Sequence, residues 1–99
     1  MKVQTVSKTG VGSSTAVPMN TNVTPFNVGF GVTVSGNVDY TVQHTFDDPG
    51  VGFTTWFSHP SVSGSADDDG NYAFPVTGVK VLVNSGDGTA TLKIVQAGI

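Results

Sequence analysis

An all-β chain, folded as a small antiparallel β-sandwich or jelly roll of about eight short strands, is what this sequence predicts. Three observations carry the prediction. Valine, threonine, serine and glycine dominate, leucine occurs only at Leu82 and Leu92, and glutamate and arginine do not occur. β-Branched residues stiffen extended backbone, whereas the missing residue types are the usual helix builders. Apolar side chains alternate with polar ones over long stretches, and turn residues recur at intervals of roughly ten positions.

The clearest element is FNVGFGVTVSGNVDYTVQHTF. Phe26, Val28, Phe30, Val32 and Val34 fall on alternate positions, and so do Val38, Tyr40, Val42, His44 and Phe46. A period of two puts one face of each arm on a core. Between the arms, Ser35-Gly36-Asn37 supplies residues that tolerate turn dihedrals, so the segment is expected to be a β-hairpin. A second hairpin is expected from Val79–Val83 and Thr89–Val95, joined by the glycine-rich turn Asn84–Gly88. Both faces of this pair carry apolar residues, which asks for a cover on each side. Shorter strands are expected at Val3–Ser7, Ser14–Val17, Phe53–Phe57 and Tyr72–Val76. Pro18, Pro25, Pro49, Pro60 and Pro75 fall at their edges, where a missing amide hydrogen does least harm.

Ninety-nine residues suit one domain over 1–99, with 1–12 as a flexible N-terminal arm. A chain of this length buries roughly 65% of its unfolded surface. With no cysteine, neither disulfides nor a thiolate metal site supplement the core. The net charge of -3 and four scattered lysines argue against a phosphate-backbone partner. No apolar run approaches the length of a spanning helix, and MKVQTVSK lacks the apolar core of a signal peptide. The start therefore reads as that of a protein made and assembled in a cytoplasm, with no membrane partner.

Four constellations suggest chemistry. His44, Asp47, Asp48, Ser58 and His59 contain the residue types of a hydrolytic triad. Ser58 and His59 are adjacent on an extended segment, however, so their side chains point to opposite faces. As metal ligands, His44 and His59 match no standard spacing, and His44 sits in an apolar register that favours packing. Asp67-Asp68-Asp69-Gly70-Asn71 lacks the alternating acids and closing glutamate of a calcium loop and reads as an exposed turn, at most a weak surface ion site. No catalytic, cofactor-binding or metal-binding residue is therefore assigned. Trp56, Phe53 and Phe57 do not alternate cleanly, so one ring must leave whichever side Trp56 takes. Core packing is the expectation for Trp56. Phe53, Trp56 and Phe57, with His44, His59 and Lys80, are the interface candidates.

Thr41–Pro49 (TVQHTFDDP), Trp56–His59 (WFSH) and the C-terminal run Val81–Gln96 together resemble a group of small virion-associated proteins of tailed bacteriophages and prophages. In that group a T-V-x-x-T-x-D-D-P stretch precedes W-F-x-H and a glycine-rich C-terminal hairpin. The resemblance spans about residues 26–97. It implies a non-enzymatic virion component, most simply a capsid decoration (cement) protein on the outer head shell. It further implies the major capsid protein and copies of the chain itself as partners, in a dimer or trimer, without cofactors. The Val3–Thr9 arm would then order on the capsid, and Lys80 is all that remains of the usual basic residue before the C-terminal strand. A tail, baseplate or head–tail connector component is the alternative. A carbohydrate-binding module that stacks sugars on Trp56, Tyr40 or Tyr72 is a second.

Overall fold

In a computed structural model that describes residues 2–22, 26–48 and 50–96, the chain forms nine strands and, among those residues, no helix. The strands are β1 (Lys2–Thr9), β2 (Gly12–Ser13), β3 (Val17–Pro18), β4 (Val28–Ser35), β5 (Val38–Thr45), β6 (Phe57–Gly64), β7 (Asp68–Tyr72), β8 (Gly78–Gly86) and β9 (Thr89–Gln96). They build two antiparallel sheets. One has the order β1-β9-β4-β7; the other runs β2-β8-β5-β6, with β3 also on β8. Successive strands swap sheets repeatedly, which is the wiring of a jelly roll.

The alternation seen in the sequence sets the core, but neither expected hairpin forms. β4 pairs with β9 and β7, and β5 pairs with β8 and β6; β4 and β5 lie in opposite sheets. The same holds for β8 and β9. Ser35-Gly36-Asn37 and the 84–88 segment are therefore arches that cross from one layer to the other. Alternating apolar residues suit an arch as well as a hairpin, because each arm still turns one face inward. This also resolves the two apolar faces of the C-terminal pair. Val79, Val81 and Val83 point in from one sheet, and Ala90, Leu92 and Ile94 point in from the other. Each covers the other, and no neighbouring molecule is needed for it.

The two arches stack. Ser35 lies opposite Thr89 and Val38 opposite Gly86. The Gly88 amide donates to the Asn37 carbonyl at 2.9 Å, and the Gly10 amide donates to the Gly88 carbonyl at 3.0 Å. Gly86 has φ of 97°, and a Cβ there would collide with the carbonyl oxygen of Asn37. At Gly88 the obstacle is the carbonyl oxygen of Ser35. Only glycine lets the backbones approach this closely.

Several expectations need correction. The 1–12 arm is not loose: β1 pairs with β9 through all eight residues, Lys2 to Thr9, and Gly12 is in β2. Of the strand expected at 14–17 only Val17 is in one, β3; residues 14–16 link it to β2, and Ser14 there bonds β8 through its side chain. Its hydroxyl accepts the Val81 amide at 3.1 Å while its own amide donates to the Val81 carbonyl. The strand expected at 53–57 begins at Phe57 and continues through Pro60 to Gly64. The expected exposed turn at 67–71 is largely β7, hydrogen-bonded to β4. Pro25 and Pro49 lie outside the described residues.

Core packing is otherwise regular. Val28, Val32, Val38, Tyr40, Val42, Val79, Val81, Val83, Leu92 and Ile94 are almost fully buried. Each such side chain contributes on the order of 1.5–3 kcal/mol through removal of apolar surface from water. The buried polar groups are paired: the Gln96 side chain grips the Asn20 backbone at both ends, and the Tyr40 hydroxyl donates to the Ala66 carbonyl at 2.7 Å.

Gly86→Ala is expected to lower stability by about 2–4 kcal/mol, the penalty for a strained, obstructed backbone position. Gly29→Ala should instead be neutral or stabilise by up to about 1 kcal/mol, because its Cβ meets nothing within 4 Å and glycine weakens a strand. Urea unfolding of both variants, followed by tryptophan fluorescence, measures the difference.

Candidate interface at the open end of the sandwich

Several residues singled out in the sequence stand where β5 and β7 end and β6 begins. His44 and Phe57 are directly paired across β5 and β6, and Tyr72 ends β7 in the facing sheet. The His44 Nδ1 and the Tyr72 hydroxyl share a hydrogen bond of 3.0 Å that ties the two sheets together. Around this pair stand three phenylalanines. Phe46, Phe57 and Phe74 are 52%, 49% and 47% exposed, far more than the core rings. Each lies within 6.0 Å of the His44 ring, centroid to centroid, and Phe46 is 5.7 Å from Phe57. The result is one aromatic patch with a polar floor.

The register explains why the patch is exposed. Alternation in β5 runs inward at Val38, Tyr40, Val42 and His44, and then breaks. Thr45 is buried, so Phe46 turns out instead of continuing the inward face. Thr45 is needed inside because its hydroxyl donates to the Thr55 carbonyl at 2.7 Å and accepts the Asp47 amide. Its own carbonyl accepts both the amide and the hydroxyl of Thr77. Phe46 and Phe74 escaped the sequence reading for this reason: one was placed in the core register, and the other follows β7 in a segment expected to be strand.

The loop from Asp47 to Trp56 is pinned by its acids. Asp47 Oδ2 accepts the Thr54 and Thr55 amides, each at 2.7 Å, and Asp48 Oδ1 accepts the Gly50 amide at 2.9 Å. The amides of Thr55 and then Thr54 hold the Asp47 carboxyl below its ordinary range. The loop lays Phe53 over Gly78, where a Cβ would be 3.1 Å from the ring. Trp56 then meets Phe53 edge-on, and the Lys80 ammonium sits 4.3 Å above the indole. This cation–π contact lies on the outward face of β8, so Trp56 covers the outside of a sheet and is not in the core as expected.

His59 does something else. Between Thr41 and Gln43 the β5–β6 register jumps from Ser63 to Ser58, so β6 bulges there. The His59 ring folds into the bulge, where its Nδ1 accepts the amides of Ser61 and Val62, each at 3.2 Å. With Nδ1 accepting, Nε2 carries the proton and donates to the Asn71 carbonyl at 3.4 Å. The ring also packs edge-on against Phe30 and Tyr72. Gly70 makes room, since a Cβ there would be 2.8 Å from Val62. His59 thus closes the gap between β6 and β7.

The six interface candidates consequently divide. Phe57 is on the exposed patch. Phe53, Trp56 and Lys80 form a half-buried cluster on the outer face of β8, and His59 is a brace. His44, only 6% exposed, is the floor of the patch and does not itself present a contact surface. The hydrolytic set does not assemble, because the Asp47 carboxylate is spent on backbone amides and His59 Nδ1 on its own bulge. No three potential metal ligands come together among the described residues. Tyr40 and Tyr72 are fully buried and offer no stacking face to a sugar.

Burial, and secondarily the charge of His59, pushes the His44 imidazole below its ordinary value of 6.5. Burial likewise pushes the Tyr72 hydroxyl well above its ordinary value, so it stays protonated. Because the folded state resists charging His44, it binds fewer protons than the unfolded chain as pH falls below about 6.5. Stability from this group is complete above that pH and drains away until His44 titrates in the folded state. Asp47 adds a second, lower step, lost as pH falls below the ordinary carboxylate range and through its depressed value. Thermal melts between about pH 8 and pH 2 should therefore show two declines. His44→Gln should flatten the upper one, and Asp47→Asn the lower.

No family model matches this chain, and no curated protein does. Among solved structures, one described as that of Bacillus endospore appendages, "a novel family of disulfide-linked pili", aligns over 98% of this chain and 87% of its own, with 10% identity and a TM-score of 0.49. A likeness at that level carries no functional inference.

Proposed function

We propose that the chain is a non-enzymatic structural module of a bacteriophage virion, a decoration protein that binds the outer head shell and stabilises it. The aromatic patch carries this reading. Three exposed phenylalanines converging on one end of a small, weakly charged domain make a surface suited to burial against another protein. Phenyl rings supply large contact area with few rotamers to freeze, which favours a permanent contact over a transient one. The bond between His44 and Tyr72 holds the floor of the patch rigid, so little order must be gained on docking. Jelly rolls occur in viral shells, which is support by analogy of fold only. A dimer or trimer on the shell would multiply modest contacts through effective concentration.

The deciding measurement is the chain's location in purified particles, by mass spectrometry followed by cryo-EM reconstruction. Density on the head shell with Phe46, Phe57 and Phe74 against a capsid subunit is the expected result. Absence from particles overturns the virion assignment, and density in the tail or connector overturns the head-shell one. Phe57→Ser combined with Phe74→Ser should lower occupancy on particles about tenfold or more while the isolated domain stays folded, since both rings are half exposed already.

A further inference from the structure

A two-sheet sandwich has four edges, and three of them are obstructed. β6 carries the bulge at His59–Val62 and Pro60 within the strand, so it cannot present a regular ladder. β7 is capped by side chains: the Asp69 amide is bound by the Asp68 carboxylate at 2.8 Å, and the Asn71 carbonyl by His59. The edge opposite β6 in the same sheet consists of β2 and β3, two residues each and separated by residues 14–16. β1 differs from all of these. It runs eight residues, Lys2 to Thr9, in unbroken register with β9, and among the described residues no strand flanks its other side. Its outward backbone groups form a row about 25 Å long at ordinary strand rise.

The charge on β1 says what can pair with it. KVQTVSKT carries Lys2 and Lys8 and no acid, in a chain with seven aspartates and only four lysines. Lys93 lies opposite Thr5 on β9, so three of the four lysines belong to this margin of the sheet. Two copies pairing β1 to β1 would bring four lysines into one ribbon, and like charges across strands repel. Acidic residues on an incoming strand would be attracted instead. Beside Thr5 and Lys93 the outer face also holds a neighbouring apolar pair, Val3 and Val95, exposed by 50% and 36%. It would seat an alternate apolar side chain of the added strand.

We infer that the β1 edge is a strand-addition site for an extended acidic segment of a partner protein, one that alternates carboxylates with β-branched residues. Main-chain hydrogen bonds supply the affinity, and the lysines set the sign of charge accepted. This site is separate from the aromatic patch and does not depend on the virion assignment.

The test uses a fluorescein-labelled peptide of about nine residues alternating valine and aspartate, and its asparagine counterpart, titrated with the full chain. The aspartate peptide should bind about tenfold or more tightly than the asparagine one, and weaken as salt is raised to about 0.5 M. Its binding should slow amide exchange within residues 2–9 and leave 57–64 unchanged. Lys8→Glu should abolish the preference, and Lys8→Gln should reduce it; both are edge changes whose folding is checked by their melts. Equal binding of the two peptides overturns the inference, as does binding without protection of β1. Protection of β1 that grows with protein concentration in the absence of peptide also overturns it, by making a second copy the occupant.

Discussion

The stacking of two glycine-bearing arches is the constraint on which the rest of the molecule depends. Where Gly86 and Gly88 press against the Ser35–Asn37 backbone, the chain crosses between layers twice within one hydrogen-bonded assembly. The register of β4 against β9 and of β5 against β8 follows from that crossing, since both ladders begin there. A slip of one residue would reverse the faces of four strands at once. The inward valines of β4, β5 and β8 are therefore placed by a contact that contains no side chain at all.

The strands nearest this crossing were legible in the sequence, and the pairing was not. Alternation marked Phe26–Val34 and Val38–Phe46 as strands with one face on a core, and Val79–Val83 as a strand with apolar residues on both faces, because each keeps its period for several residues. Nothing in that pattern distinguishes a turn within a sheet from an arch between sheets, as both place turn residues between two alternating arms. The discriminating signal was the second apolar face of 79–95, which a hairpin could not bury by itself. At the far end the period fails for local reasons. Thr45 is drawn inside by its hydrogen bonds, β6 accommodates Pro60 through a bulge, and acids that resemble a turn at 67–71 serve an edge strand. Asp67 even accepts the Val34 amide at 2.9 Å, extending the ladder of β4 by a side chain. Such substitutions of side chain for backbone leave no periodic trace.

The candidate site was legible as a cluster of residue types and misread as to their roles. His44, Trp56 and His59 stand close together in the sequence with Phe53 and Phe57, yet they occupy three environments: a buried floor, an outer-face cover and a brace. What separates them is hydrogen bonding. An imidazole whose Nδ1 is held by Tyr72 links the sheets. One whose Nδ1 takes two backbone amides shapes a bulge. The exposed Phe46 and Phe74 become visible as a surface only once those two histidines are fixed.

His59 joins these observations into a single argument about association. By filling the bulge of β6 and binding the Asn71 carbonyl, one side chain blocks an edge of each sheet. It does so beside the aromatic patch, where an open strand edge next to exposed rings would invite uncontrolled sheet extension. With those edges closed, the patch offers aromatic side chains, and β1 offers an unpaired backbone row flanked by lysines. β1 is the edge of its sheet opposite β7, whereas the patch sits at the end of β7 and beside β5 and β6 of the facing sheet, so contacts of different chemistry can be made at once without competing. A domain too small to gain much from its own core gains specificity from keeping them apart.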